Sequence, residues 1–344
     1  MKYLKYILLL LLLIIVGGSI YVATLDSDFE VTRSRTINAP AEVVFKNVAD
    51  YKNWPSWSPW IEKDTLTELT FSDASSGVGA MYGWKSDIIG EGKMETVNIT
   101  DNEVIDQKIT FISPYESTSD INWKFEPTDS GTNVTWSMKG KNGFMEKAYM
   151  LFAGGIDKMV GPDFERGLIK LDSVVKEDMN KYSVTVNGIT THGGGYYLFN
   201  TTSCKIEEVS AKMQEMMPLV GMYVQKNNIP MAGAPFTLYH KYDIENNAVI
   251  FSCAVPVTDK VITDADSGIQ TGMLKPFTAL KTTLKGNYDK LEEAWTTAMK
   301  HIADNGLKEV PTNPYLEVYQ TDPMTIVNPA DWITEIYIPV EDNN

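Results

Sequence analysis

The chain begins with an apolar run that no charged residue interrupts. The run extends over residues 6–25, between Lys5 and Asp26. At a rise of about 1.5 Å per residue it spans about 30 Å as a helix, which is the thickness of the hydrocarbon core of a bilayer. We therefore expect a membrane anchor within residues 1–28.

The charges on either side of this run predict its orientation. Lys2 and Lys5 precede it, and Asp26 and Asp28 follow. Because lysine is enriched on the cytoplasmic side of membrane segments, the rest of the chain is expected outside the cytoplasm, in the periplasm, on a single-pass protein of the cell membrane. A cleaved signal peptide is the alternative, since the apolar core of residues 7–16 is short. The absence of an A-x-A cleavage site favours the uncleaved anchor.

Residues 29–180 alternate like a series of strands enclosed by helices. Residues 29–37 alternate as a strand, and Pro40 suits the first turn of a helix that follows. Turn signals separate six further predicted strands, near residues 66–72, 78–85, 91–99, 103–112, 117–126 and 132–139. A helical stretch over 144–179 follows, with an interruption expected at Gly154-Gly155 or Gly161-Pro162. This order predicts an α+β domain.

Residues 182–341 contain an internal repeat, in which 196–257 resembles 277–340. Each copy predicts a strand, a helix and two more strands, and each closes on Pro-Val, at Pro256-Val257 and Pro339-Val340. Two copies are too few for a solenoid. We expect one domain of two related halves about a pseudo-twofold axis, with helices on one face of an antiparallel sheet and a groove on the other.

One position breaks the symmetry of this repeat. Glu335 stands where the first copy has Ser252, and alternation places it on the same face as Tyr337. An unpaired carboxylate in an apolar, aromatic setting is costly or protonated, and a bound cation would relieve that cost. The alternative is a solvated carboxylate on an edge strand.

Composition narrows the chemistry. A net charge of −15 argues against nucleic acid as a partner. The three histidines have no metal-ligand spacing, and we expect neither a metal nor a cofactor. Cys204 and Cys253 make no CxxC; they are expected to be buried apolar residues, although a pairing between them stays open.

The first domain resembles a known superfamily. Residues 37–40 (Ile-Asn-Ala-Pro), the aromatic segment 54–60 and the final helix around 167–171 are similar to START-like domains of the polyketide-cyclase (SRPBCC) superfamily. The resemblance implies a helix-grip fold with a hydrophobic cavity under the long helix. Trp57 and Trp60 are then candidates for lining or gating that cavity, and core packing is the alternative for them.

The second domain resembles gyrase-inhibitor-like domains, also called bacterial transcription activator effector-binding domains. The similarity lies in residues 314–319 (Pro-Tyr-Leu-Glu-Val-Tyr) and 332–340, together with the repeat. It implies an aromatic pocket in which Glu335 contacts cationic or aromatic ligands. Tyr319, Tyr337 and Trp295 are candidates for its wall.

Together these features predict a membrane-anchored small-molecule binding protein with two cavities, for hydrophobic or cationic aromatic compounds. The alternative is a hydrolase or cyclase with Glu335 as general acid or base, for which the chain offers no partner group. A scaffold for another envelope protein is a third hypothesis. The DNA-linked role of some gyrase-inhibitor-like proteins is not expected, because the chain is acidic and carries no DNA-binding helices.

Overall fold

A computed structural model describes residues 2–341, so Met1 of the expected anchor segment lies outside the described residues. The chain divides into two compact units between Asp178 and Met179. The first unit contains the α-helices α1 (Lys2–Thr24), α2 (Ala41–Ala49), α3 (Trp54–Trp57), α4 (Pro59–Lys63), α5 (Phe144–Ala153) and α6 (Ile156–Met179). Its strands are β1 (Asp28–Ile37), β2 (Glu68–Phe71), β3 (Met81–Ser86), β4 (Gly90–Thr100), β5 (Val104–Ser113), β6 (Ser117–Thr128) and β7 (Gly131–Lys141).

The second unit contains two α-helices, α7 (Val209–Lys226) and α8 (Leu291–Asp304). Its strands are β8 (Ser183–His192), β9 (Gly195–Cys204), β10 (Phe236–Asp243), β11 (Ala248–Val257), β12 (Gln270–Leu274), β13 (Phe277–Lys285), β14 (Tyr315–Tyr319) and β15 (Ile333–Pro339). The expected α+β class is therefore confirmed for both units.

Helix α1 is apolar and exposed along nearly its whole length. Residues Tyr3–Thr24 have a mean hydropathy of 2.6, and by length and composition the helix could cross a membrane. Val22, near its C-terminal end, is buried against the first unit, whereas the described residues before it are exposed. The predicted apolar helix is thus present, and its last turn packs on the folded domain.

The first unit is an antiparallel sheet of seven strands against α6. The strand order is β1-β7-β6-β5-β4-β3-β2, as expected for strands that follow one another through short turns. The helical stretch after β7 breaks at Gly154 and Gly155, where φ is 85° and 93°. Glycine adopts this left-handed backbone without steric cost. Pro162 lies inside α6 and does not interrupt it.

Tryptophan rings fill the space between this sheet and α6. Trp136 stacks on Phe164 of α6 with ring centroids 4.0 Å apart, and on Trp123 with centroids 4.3 Å apart. Trp54 and Trp57 meet both sheet tryptophans edge to face. Close packing of aromatic rings contributes strongly to a core, both through apolar area and through ring geometry. Here the rings occupy the region under the long helix.

The second unit confirms the predicted repeat. Its sheet has the order β12-β9-β11-β10-β14-β15-β13-β8, and the two halves meet where β10 pairs with β14. Leu238 pairs with Ser252 in one half, and Val318 pairs with Glu335 in the other. The offsets (318−238 = 80 and 335−252 = 83) place Ser252 and Glu335 at equivalent positions. Helix α7 is continuous through Pro218.

The outer strands of the second unit are exchanged between the halves. β8 precedes β9 along the chain but pairs with β13, and β12 precedes β13 but pairs with β9. Each half therefore supplies the edge strand that completes the other half's part of the sheet.

Both helices of the second unit pack on the same face of the sheet, here called the helix face. Residues of α8 pack against Ile336 and Leu280, and Met216 of α7 packs against Phe251 and Cys253. The opposite face carries a second apolar cluster that includes Phe236 and Leu316. The domain thus has two distinct surfaces on which a site could form.

The two cysteines are free. In the strand register, Cys204 of β9 lies opposite Val249 of β11. Val249 is four residues before Cys253, which is a distance of about 13 Å along the strand. That separation exceeds the reach of a disulfide, so the pairing left open by the sequence does not form. Cys253 is buried, as expected.

Candidate functional site

A buried carboxylate lies on the helix face at the centre of the second unit. Glu317 is on β14, directly opposite Thr237 of β10, where the two halves meet. Glu317 is only 2% exposed. Three side chains donate hydrogen bonds to it: Trp295 Nε1 at 2.5 Å, the Tyr319 hydroxyl at 2.9 Å and the Tyr239 hydroxyl at 3.1 Å. Every donor is aromatic.

The electrostatics of Glu317 are unusual because no cation balances it. Among the residues that the structure describes, no lysine, arginine or histidine forms an ion pair with this carboxylate. Burial raises the pKa of Glu317 above its ordinary value, although the three hydrogen bonds oppose the shift. The same carboxylate, together with burial, raises the pKa of Tyr239 and of Tyr319. A bound cation or proton donor would therefore be favoured at this site.

Aromatic rings and methionines surround the carboxylate. Trp295 meets the ring of Tyr239 edge to face at 5.9 Å, and Tyr288 meets that of Tyr319 at 5.6 Å. The Tyr319 hydroxyl also lies 3.6 Å from the sulfur of Met213 on α7. These side chains are half-buried, whereas Glu317 is fully buried. The group, here called the Glu317 cage, combines aromatic rings suited to cations with the adaptable thioether of Met213. Its members are Glu317, Trp295, Tyr239, Tyr319, Tyr288 and Met213.

Polar side chains extend the cage across the sheet. Asn200, Thr237 and Thr282 lie in the same transverse row as Glu317 on the helix face. Asn200 Oδ1 and Thr282 Oγ1 are buried without a hydrogen-bond partner, as is Thr334 Oγ1 beside Tyr319. Buried polar atoms without partners are rare and costly in folded proteins. Of these three residues, Thr334 lies on the strand next to that of Glu317, whereas Asn200 and Thr282 lie three and two strands away.

Glu335 lies on the opposite face and is neutralised. Its carboxylate forms an ion pair with Lys281 at 2.6 Å and accepts hydrogen bonds from Tyr337 at 2.8 Å and Gln320 at 2.9 Å. Burial raises the pKa of Glu335, but these three donors together bring it below its ordinary value. The expected neighbour Tyr337 is confirmed. Neither alternative drawn from the sequence holds: Lys281 of β13, directly opposite Tyr337, pairs with the carboxylate, and β15 is not an edge strand.

The first half carries a neutral counterpart of this network. The Ser252 hydroxyl lies 2.7 Å from His240 Nε2 and 2.7 Å from the Thr201 hydroxyl. His240 and Gln320 follow Tyr239 and Tyr319 at equivalent places in the repeat, so one hydrogen-bonded pair recurs in both halves. The symmetry break at Ser252 and Glu335 exchanges one polar pair for another. It does not create an unpaired charge.

The remaining candidates divide between sites. Trp295 and Tyr319 contact Glu317 and not Glu335. The two carboxylates lie on opposite faces of the sheet, because successive residues of a strand point to opposite faces. In the first unit, Trp57 is fully buried, and its indole donates to the carbonyl of Asn47 at 3.2 Å. Trp60 is half-buried and packs edge to face on Trp136 and Phe164. These contacts favour core packing over a gate.

Comparison with known families gives each unit a context. Residues 28–176 match the family described as polyketide cyclase / dehydrase and lipid transport. Residues 196–341 match the GyrI-like small molecule binding domain. The chain carries one domain of each family, in that order. The resemblances drawn from the sequence are thereby confirmed, and the Glu317 cage lies within the GyrI-like domain.

Solved structures are similar to parts of the chain. The C-terminal domain of EcmrR is 22% identical, covering 47% of this chain and 98% of that one, with a TM-score of 0.41. EcmrR in a DNA complex is 22% identical over 58% of this chain and 72% of that one, with a TM-score of 0.40. SA2116 from Staphylococcus aureus is 15% identical over 44% of this chain and 96% of that one, with a TM-score of 0.35. No curated protein sequence matches the chain.

Glu317 is the residue that sequence reasoning missed. It stands inside the motif Tyr315–Tyr319 on which the GyrI-like resemblance depends, yet Glu335 drew attention as the break in the repeat. Alternation also puts Tyr315, Glu317 and Tyr319 on one face, between the buried residues Leu316 and Val318. Applied to both strands, that pattern would have identified both carboxylates. Within residues 2–341, no group of histidine, cysteine and acidic side chains is arranged to hold a metal.

Proposed function

We propose that the GyrI-like domain binds a cationic aromatic small molecule, with Glu317 as its anchor. The observation that carries the proposal is a fully buried carboxylate held by three aromatic donors and balanced by no described cation. A positive ligand would supply the missing charge, and the rings of the cage would add cation–π attraction. Glu335 already has this compensation from Lys281, which makes it the weaker anchor.

The contribution of Glu317 follows from Coulomb's law. A monovalent cation about 5 Å from the carboxylate, at an effective dielectric constant of about 20, gains about 3 kcal/mol. That energy corresponds to roughly a hundredfold in Kd. We expect Glu317→Gln to weaken binding of a cationic dye such as rhodamine 6G by about this factor, because the variant keeps the shape and removes the charge.

Fluorescence anisotropy of the dye with the full chain in detergent measures this effect. Glu335→Gln is the matched control, since it neutralises the other carboxylate and leaves the cage intact. Equal loss in both variants, or no loss in Glu317→Gln, would exclude Glu317 as the anchor. A neutral dye of similar size should bind both variants and the unchanged protein alike.

A hydrolytic activity is the second candidate. Burial raises the pKa of Glu317, whereas the pKa of Glu335 is lowered, so Glu317 is the better suited of the two to act as a general acid. Turnover of an activated ester that is lost in Glu317→Gln and retained in Glu335→Gln would support an enzyme. If both variants retain the turnover, the esterase activity depends on neither carboxylate.

We further propose that α1 anchors the chain in a membrane and that both domains lie outside the cytoplasm. Support comes from the exposure of a helix with a mean hydropathy of 2.6, and from the lysines before it and acidic residues after it. Flotation with lipid vesicles tests the anchor. A cysteine introduced at the exposed Leu66, in a Cys204→Ser background, should react with an impermeant maleimide in right-side-out vesicles. Protection of that cysteine in such vesicles would show the opposite orientation.

A further inference from the structure

Helix α5 has an inverted pattern of polar and apolar positions. Met145, Tyr149 and Phe152, at i, i+4 and i+7, form one stripe and are 76%, 62% and 89% exposed. Of its two charged residues, Lys147 is 9% exposed, and the half-buried Glu146 accepts a hydrogen bond from the Gly143 amide at the helix start. A surface helix of a soluble domain shows the opposite arrangement.

Lys147 ties this helix to the end of α1. Its ammonium donates to the carbonyl of Leu25 at 2.8 Å and to that of Ala23 at 3.5 Å. The last carbonyls of a helix lack intrahelical partners and carry partial negative charge, so a buried lysine is favourable there. Val22 is buried at the same junction. The exposed stripe of α5 is therefore held at a defined place beside the last turn of the apolar helix.

We propose that α5 is an interfacial helix, whose stripe of Met145, Tyr149 and Phe152 inserts into the headgroup region of the bilayer that α1 crosses. The inference rests on the proposed membrane anchor. If α1 spans the bilayer, its last turn lies at the membrane surface, and α5 lies there with it. Tyrosine is enriched at this depth, and an amphipathic helix buries its apolar face about 5–10 Å into the boundary.

The contacts of α5 favour the bilayer, rather than a protein, as the partner of its exposed stripe. The stripe adjoins α1, which itself needs lipid around it, so one apolar environment would cover both surfaces. Membrane contact through α5 would also hold the polyketide-cyclase-like domain close to the surface in a fixed orientation, since α5 is joined to α6 through Gly154 and Gly155 alone.

Fluorescence quenching by lipids tests the proposal on the full chain. An NBD label is placed at Phe152→Cys, and separately at Met145→Cys, in a Cys204→Ser background; the remaining Cys253 is buried. Ser130→Cys is the matched control, because Ser130 is exposed in the turn between β6 and β7, at the end of these strands that lies away from α1 and α5. The protein is reconstituted into phosphatidylcholine/phosphatidylglycerol vesicles, with or without lipid that carries a shallow spin label.

The two α5 labels should lose about half or more of their emission to spin-labelled lipid, since an interfacial helix places its apolar face within the reach of that quencher. The label at position 130 should lose almost none. Unquenched α5 labels on protein that floats with the vesicles would overturn the inference and leave the anchor standing. α5 labels shielded from aqueous iodide but not quenched by lipid would show a protein partner instead, which also overturns it. Protein that does not float would refute the anchor and, with it, the inference.

Discussion

Replacing Gly167 by alanine tests whether the space beneath α6 is filled. Gly167 is a buried residue in the interior of α6, where alanine is normally favoured over glycine by about 0.5–1 kcal/mol. Here an added Cβ would lie 2.8 Å from Cζ3 of Trp136 and 3.2 Å from Cδ of Pro59. The first distance is too short for a carbon–carbon contact, so the ring or the helix must move.

The ring of Trp136 has little freedom to retreat. Two rings stack on that of Trp136: Phe164, with ring centroids 4.0 Å apart, and Trp123, with ring centroids 4.3 Å apart. Overpacking of a filled core costs about 1–3 kcal/mol, which exceeds the gain in helix propensity. We expect a net loss of about 1 kcal/mol and a melting temperature lower by about 2–4 °C for a domain of this size.

Thermal unfolding followed by tryptophan fluorescence measures this loss, because six of the eight tryptophans lie in the first domain. Gly221→Ala in α7 is the control for propensity: no atom lies within 4 Å of its added Cβ, so the second domain should gain stability, by about 0.5–1 kcal/mol. If Gly167→Ala stabilises the first domain in the same way, the space under α6 is open, and the tryptophans line a cavity.

Three further outcomes follow from groups in the GyrI-like domain. Burial raises the pKa of Glu317, so between its ordinary pKa of about 4.5 and the raised pKa of the folded state the native protein holds a proton that the unfolded chain has lost. The stability of the unchanged protein relative to Glu317→Gln should therefore fall as pH rises through this range, and denaturant titrations of the two proteins that run parallel from pH 4 to 8 would contradict this. Lys281→Met should lower the free energy of unfolding by about 1–2 kcal/mol, because it leaves Glu335 without its partner. The double variant Lys281→Met/Glu335→Gln should recover much of the loss. Equal stability of all three proteins would show that the pair contributes nothing. Burial raises the pKa of the Cys253 thiol to about 12. A thiol-reactive disulfide should therefore modify Cys204 in the native protein and Cys253 only after denaturation. Rapid modification of both thiols in the native protein would show that β11 opens.

Local patterns predicted most strands of the fold. The alternation of residues 29–37 and the turn signals after it correspond to β1–β7, and the paired Pro-Val endings correspond to β11 and β15. The exchange of β8 and β12 was not predictable in this way. A period of two residues shows that a segment is a strand and which residues share a face, but the identity of its neighbour depends on contacts about ninety residues away.

The candidate site was predicted only in part, for the same reason. The pairing of Glu335 with Tyr337 needs only alternation within one strand, and the structure contains it. The charge state of Glu335 depends on Lys281, which a different strand supplies through its register. The convergence of Trp295 and Tyr239 on Glu317 likewise needs the packing of α8 on the sheet, which no spacing in the sequence reveals.

The exchanged edge strands make the two halves of the GyrI-like domain mutually dependent. A fragment that contains only β8 to β11 would keep β8 without its partner β13 and leave β9 with an open edge, because its natural neighbour β12 would be missing. Unpaired edges recruit other strands. Two copies of such a fragment could satisfy each other, each lending its first strand to its twin, so the present domain has the connectivity of a homodimer whose subunits have been fused. A single chain of two halves can carry Glu317 at one central position and Thr237 at its counterpart, a difference that two identical subunits cannot have.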